Sequence, residues 1–337
     1  MTDATTLYND AGTGVFTEDP GLHGYVDLTN EQYHSGPGIS KSQLDAVAIS
    51  PLNYWDQYIN PEREPREYKH AFAVGDGTHK LVLEPGTFEE TYAVDFDKHA
   101  FPDALDTIAE LKKELGTLEL QISGSKPELA DRLINEGGFP PERIMLHLQR
   151  QHQATMTGRI PIPARDYKNM LSMLRAVDRD PIAGPLLRGA TTEQSFFWRD
   201  DVGILRKCRT DAISADGVVI PDLKTTDDVS ASAFGWTIYQ RRYHVQAAFY
   251  LDILRGLYGS DAPRVFAFVA AQKTRPYDVA VHYLTEEHIQ AGRLLYQRDL
   301  ALLTDCMARD YWPGVARGQL IEAQLPQRAM DILYEAN

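Results

Sequence analysis

Two aspartates and a lysine stand around a short turn, in the stretch from Asp211 through Asp216-Gly217 to Pro221-Asp222-Leu223-Lys224. Asp216-Gly217 between β-forming residues predicts a two-residue hairpin turn. That register sets Ala215 opposite Val218, Ile213 opposite Ile220 and Asp211 opposite Asp222. Lys224 shares the face of Asp222, because side chains alternate along a strand. Directly opposed residues have Cβ atoms roughly 4.5–5.5 Å apart, so two ionised carboxylates placed there repel. A hard cation reverses the sign. Mg²⁺, with Mn²⁺ as its substitute, is held by one or two carboxylates plus water and substrate phosphate. A neighbouring ammonium then orients water or stabilises charge in the transition state. This is chemistry that cuts phosphodiesters. On these residues alone, a solvated hairpin with scattered charges carries about equal weight. Pro221 lacks an N–H and prefers a strand edge or a bulge, which would displace Asp222.

Other residues add to the hairpin. Gly75-Asp76-Gly77-Thr78-His79 lies in a helical stretch, and each helical glycine is unfavourable by ~1 kcal/mol relative to alanine. Close packing on another element explains such glycines. Ala71, Gly75 and His79 share one face, which could bring a neutral imidazole to the sheet as a metal ligand, although a lone histidine is more often a hydrogen-bonded core residue. Gln246 and Tyr250, four residues apart, share a face that contacts phosphate or braces the lysine. Tyr243 and Phe249 read as core.

The elements that must position these residues follow from periodicity and caps. Helices are expected over Lys41–Ala48, from Ser50-Pro51, over His70–Leu83, Ala164–Arg179, Ala233–Tyr258 and from Glu286 to about Arg309. Strands are expected over Phe88–Phe96, Gln194–Trp198, Gly203–Ile213, Gly217–Lys224, Arg264–Ala270 and Tyr277–Leu284. The order predicts an α/β (α+β) fold, a mixed central sheet flanked by helices. Between Pro102 and Gly138 the texture changes to two short helices around Gly124, the second opened by the capping-box pair Ser125 and Glu128. The expected division is residues 1–100, a helical insertion over 103–138, and 139–337.

Bulk properties set limits. The chain has 337 residues, 43% hydrophobic and 24% charged, as in a globular protein. No apolar run reaches the ~20 residues of a membrane span, and Met1–Pro20 reads as a polar tail without a secretory or transit signal. Two cysteines, Cys208 and Cys306, make no disulfide framework and fit a reducing cytoplasm. With 34 basic against 48 acidic residues the net charge is −14. That argues against a whole-surface nucleic-acid binder while leaving room for a local basic groove.

Taken together, Tyr33-His34 with Ile39-Ser40-Lys41-Ser42, Gly77-Thr78-His79 through Glu84-Pro85, Arg209-Thr210-Asp211, Pro221-Asp222-Leu223-Lys224 and Gln246 with Tyr250 resemble the PD-(D/E)XK nucleases. The likeness is to their RecB-like branch, and within it to RecE-type and lambda-type phage exonucleases. It covers about Tyr33 to Tyr311. The resemblance implies metal binding by His79, Asp211, Asp222 and the Leu223 carbonyl. It implies a catalytic Lys224, an accessory pair Gln246 and Tyr250, and a further site carboxylate, Glu193. Gln272 stands where the family often has an acid. The implied activity is Mg²⁺-dependent 5′ to 3′ digestion of double-stranded DNA ends in the host cytoplasm, alongside a single-strand annealing protein and with a homo-oligomeric ring. The insertion resembles a SAP motif, with Lys112, Lys113, Lys126 and Arg132 toward phosphates. Arg206, Lys207, Arg209, Arg241 and Arg242 are expected to line a DNA channel, although surface arginines more often pair with acids. The rivals are a restriction-like endonuclease on the same fold and a non-catalytic DNA-binding scaffold.

Overall fold

The computed structural model describes residues 22–63, 70–327 and 331. The expected tail over Met1–Pro20, much of the Pro61–Glu67 loop and the side chain of Ala71 lie outside them. The elements are β1 (Gly24–Val26), α1 (Asn30–Ser35), α2 (Lys41–Ile49), α3 (Pro51–Tyr58), α4 (His70–Leu83), α5 (Phe88–Thr91), β2 (Tyr92–Val94), α6 (Ile108–Thr117), α7 (Lys126–Asn135), α8 (Met145–Thr155), β3 (Ile160–Ile162), α9 (Ala164–Arg179), α10 (Ala183–Leu187), β4 (Thr191–Arg199), β5 (Leu205–Ile213), β6 (Val219–Thr226), α11 (Ala231–Gln240), α12 (Tyr243–Tyr258), β7 (Val265–Gln272), β8 (Val279–Tyr283) and α13 (Glu286–Arg309). Among the described residues no helix is long and apolar enough to cross a membrane.

Two three-stranded ladders, ordered β1-β4-β5 and β6-β7-β8, form the centre. The second is mixed: β6 and β7 run parallel, β7 and β8 antiparallel. Parallel pairing requires a crossover, which α11 and α12 provide. They pack with α2, α3 and α13 around Leu44, Phe234, Phe249, Phe268 and Tyr296.

The hairpin differs from its expected form. Ser214 N–H donates to Val219 C=O at 2.9 Å and Gly217 N–H to Ser214 C=O at 2.8 Å, with Gly217 at φ 72. Residues 215–218 therefore form a four-residue turn, and Ala215 and Val218 are not a ladder pair. The register is the expected one, since Ser214 opposite Val219 still aligns Asp211 with Asp222. In that register Ala212 and Pro221 are the next hydrogen-bonding pair, and Pro221 has no N–H to give. The strands separate there.

Two other expectations fail locally. Phe88–Phe96 is a short helix followed by a three-residue strand rather than one strand. The single helix over Ala233–Tyr258 is two helices, broken where Arg242 adopts φ 54. Its guanidinium pairs with Asp45 (Nε–Oδ1 3.1 Å) and with Asp299, while Lys41 Nζ donates to Arg241 C=O at 3.0 Å. These bonds tie the break to α2 and α13.

Glycines act at particular positions. A Cβ on Gly77 would meet Met170 Cε at 3.1 Å, whereas Gly75 has open space around it. Gly77, not Gly75, is thus the close-packing residue of α4. At Gly292 a Cβ would lie 2.1 Å from the backbone oxygen of His244, so α13 and the start of α12 touch backbone to backbone. Gly292→Ala is expected to lower stability by about 1–3 kcal/mol through overpacking, read from the denaturant midpoint. An unchanged midpoint would contradict the contact.

The insertion has its own core of Leu111, Leu115, Leu129, Ala130, Leu133 and Ile144. Ser125 and Glu128 form the expected capping box, and Gly124 turns at φ 135. Leu105 bridges to Ile144, so this core reaches past Gly138.

Candidate active site

At the point where β5 and β6 separate, the carboxylate of Asp211 takes over from the lost ladder. Its Oδ2 accepts the Leu223 N–H at 2.8 Å. On the other side, β4 pairs Thr192 with Ala212 and Gln194 with Thr210, which places Glu193 opposite Asp211. Glu193 has φ 53, a left-handed conformation that disfavours residues with a Cβ. Such strain is found where function over-determines a side chain's direction. Helix α4 adds His79, whose Nδ1 lies 3.4 Å from Asp211 Oδ2 and whose ring bonds the Leu223 backbone. Ligand atoms of His79, Glu193 and Asp211 all fall within 4.8 Å of one another.

Next to this trio a half-buried lysine pairs with a buried aspartate. Lys224 Nζ is 2.5 Å from Asp222 Oδ2, and Gln246 Nε2 donates to Asp222 Oδ1 at 2.5 Å. Lys224 also stands 5.0 Å from the centroid of Tyr243, and Lys41 faces the same ring at 5.8 Å. Tyr243, which the sequence predicts to be core, is thus approached by two ammonium groups.

The electrostatics follow from burial and proximity. Burial first, then Lys224, pulls His79 down to about 4, so the imidazole is neutral and available as a ligand. Burial and the facing Asp211 hold Glu193 up to about 7 against Arg209, and burial raises Asp211 as well. Burial and Asp211 lift Asp222 to about 6. Burial alone would depress Lys224, but Asp222 and Asp211 override it and raise the ammonium above its ordinary value. Clustered carboxyls that resist ionisation beside a neutral imidazole suit a divalent cation. His79, Glu193 and Asp211 are the side chains placed to hold one.

A cavity of about 240 Å³ opens onto His79, Glu193, Asp211 and Tyr250. It also includes Tyr33, His34, Asp76 and Lys80, which the sequence reading had not assigned to the site. Asp76 was detectable, being three residues before His79 on one helix, and Lys80 follows Asp76 by four. Asp222, Lys224 and Gln246 are not among the residues that line this cavity.

Most of the basic residues expected to line a DNA channel are engaged within the fold, and Arg209 lines the cavity. Lys207 is 2% exposed, and its ammonium donates to the carbonyls of Tyr33 (2.8 Å) and Gly36. Burial pulls it down to about 7, while the two carbonyls favour its charged form. It fastens the end of α1 beneath the cavity. Lys207→Ala is expected to leave those carbonyls without their donor and lower stability by about 1–3 kcal/mol. A phosphate-contacting lysine would leave the unfolding midpoint unmoved. Arg206 pairs with Asp200 and lies over Trp198. Arg209 binds Glu193 (2.7 Å), Ser195 and the Leu28 carbonyl. Arg242 is held by Asp45 and Asp299. In the insertion, Lys126 pairs with Asp106 at 2.8 Å, and Arg132 donates to the carbonyls of Gln121 and Ser123. Arg241, Lys112 and Lys113 remain exposed.

A mixed sheet flanked by helices, with this Asp-Asp-Lys set at a splayed hairpin, defines a PD-(D/E)XK-like domain. The chain belongs to the family described as PDDEXK-like domain of unknown function DUF3799, whose profile matches residues 40–320. No curated protein matches the chain. Among solved structures it is similar to a candidate exonuclease from Eubacterium rectale, 14% identical over 70% of this chain and 95% of that one, with a TM-score of 0.39. It is also similar to SSO0001, at 16% identity over 58% and 87% of the two chains, with a TM-score of 0.26.

Proposed function

We propose that the protein is a divalent-metal-dependent exodeoxyribonuclease that digests double-stranded DNA from its ends in the 5′ to 3′ direction. The observation that carries this reading is the convergence of His79, Glu193 and Asp211 next to the Asp222–Lys224 pair. When bound, Mg²⁺ or Mn²⁺ supplies Lewis-acid polarisation of the phosphate and a more acidic water. His79, Glu193 and Asp211 hold the ion, with Asp222 and the Leu223 carbonyl beside them. Lys224, fixed by Asp222 and kept charged, presents a cation toward the phosphate. Gln246 holds Asp222 in place and is a positioning residue, and Tyr250 borders the substrate.

The setting proposed is phage-type recombination in the host cytoplasm, where the exposed strand passes to a single-strand annealing protein. A homo-oligomeric ring would keep the enzyme on its substrate. Lys112 and Lys113 of the SAP-like insertion, with Arg241 of the main body, are its proposed phosphate contacts.

The test compares acid-soluble nucleotide release from linear and closed-circular duplex in Mg²⁺ and in EDTA. Release from linear DNA alone, abolished by EDTA, is expected. Nicking of closed circles would favour an endonuclease, and no release from either would sink the reading.

A further inference from the structure

Helix α11 carries features that the fold does not use. Trp236 and Tyr239 are 60% and 64% exposed, with ring centroids 5.4 Å apart and planes inclined by 35°. Exposing two large aromatic faces to water is unfavourable unless something covers them. The next turn ends in Arg241, exposed and without an acidic partner among the described residues. Tyr239 also borders a cleft of about 290 Å³ whose lining includes Gly235, Ile238, His244, Leu284 and His288.

Gly235 supplies a second, independent observation. It sits inside α11, where glycine is unfavourable by about 1 kcal/mol against alanine. A Cβ built on it would meet nothing within 4 Å. Nothing among the described residues therefore explains the missing side chain, and its absence keeps the cleft open.

The chemistry of an occupant follows from what surrounds the rings. Arg241 and Lys41 are joined through a hydrogen bond from Lys41 to the Arg241 carbonyl, and Lys41 shares the Tyr243 ring with Lys224. Lys41 is itself paired with Asp45 at 2.6 Å, so these contacts tie the end of α11 to Tyr243 and Lys224, and Arg241, two residues beyond Tyr239, is the exposed cation. Paired aromatic faces beside basic groups are how proteins hold single-stranded nucleic acid without reading its sequence, the bases stacking and the cations following the backbone. An apolar peptide would fill the cleft without using Arg241.

We infer that Trp236, Tyr239 and the Gly235 cleft form a stacking platform for single-stranded nucleic acid leading to or from the active site. The inference rests on the nuclease reading for its direction. Its test uses neither metal nor turnover, so the two succeed or fail separately.

The full chain is titrated in EDTA with a labelled oligothymidylate, following anisotropy and tryptophan quenching. Binding is expected. Trp236→Ala and Tyr239→Ala should each weaken it roughly ten- to hundredfold. Gly235→Leu, which improves helix propensity and projects into the cleft, should weaken it comparably while the unfolding midpoint holds or rises. Arg241→Gln should flatten the salt dependence by about one unit of log–log slope. The inference is overturned if the wild-type chain does not bind. It is equally overturned if Trp236→Ala and Gly235→Leu bind like wild type.

Discussion

Lys224→Ala is expected to digest linear duplex DNA about two to three orders of magnitude more slowly than wild type at saturating Mg²⁺. That is the usual consequence of removing one group that opposes transition-state charge. The expectation rests on Lys224 being a fixed cation rather than a proton acceptor. Its ammonium is half-buried 2.5 Å from Asp222 and is raised above its ordinary value by Asp222 and Asp211. A lysine so held does not deprotonate near neutral pH, so it acts by charge. Removing it also withdraws the counter-charge that keeps Asp222 and Asp211 ionisable. Metal affinity should therefore weaken too, and the comparison must be made at saturation. Thermal melting and circular dichroism separate lost chemistry from lost folding. A rate within a factor of about ten of wild type would remove Lys224 from the mechanism.

Much of this site was legible because it lies close together in the sequence. Asp211, Asp222 and Lys224 belong to one hairpin, and its register followed from one Asp-Gly turn. That Pro221 disturbs the ladder is legible from its missing N–H, but no local pattern announces the outcome, in which the Asp211 carboxylate takes the Leu223 N–H that the ladder loses. Glu193 came only through family resemblance, because its position depends on the long-range pairing of β4 with β5 and on a left-handed φ that no local pattern announces.

The basic residues were the least legible. Alternation along β5 points Lys207 inward, yet a lysine is so seldom buried that its charge was read as surface. Its partners are backbone carbonyls 171 and 174 residues away in sequence. The break between α11 and α12 was hidden for a similar reason. Neither Gly nor Pro marks it, and Arg242 is held there by acids on two other helices.

Metal affinity should rise steeply with pH, by up to about tenfold per unit below neutrality and roughly fiftyfold between pH 5 and 7. The sign follows from Glu193, held up to about 7 by burial and by Asp211 opposite it. Its ordinary value is near 4.5, so across that interval the folded apoprotein keeps a proton that the unfolded chain has lost. The stability this proton contributes is present below about 4.5 and is lost as pH rises through about 7. A cation binding the carboxylate competes with the proton, so affinity climbs over the same interval. His79 does not compete there, because its ring is already neutral above about 4. Mn²⁺ binding, followed by electron paramagnetic resonance, measures the slope, and the metal-induced rise in melting temperature should grow in parallel. Glu193→Gln should flatten the profile while weakening binding at high pH, since an amide neither titrates nor carries charge. If Glu193→Gln retains the wild-type slope, the competing proton sits elsewhere and Glu193 is not a ligand. The same experiment on Asp222→Asn locates Asp222. A variant that binds Mn²⁺ with nearly the wild-type profile but does not digest DNA would assign this carboxylate to Lys224 rather than to the ion, as its 2.5 Å contact with the ammonium suggests.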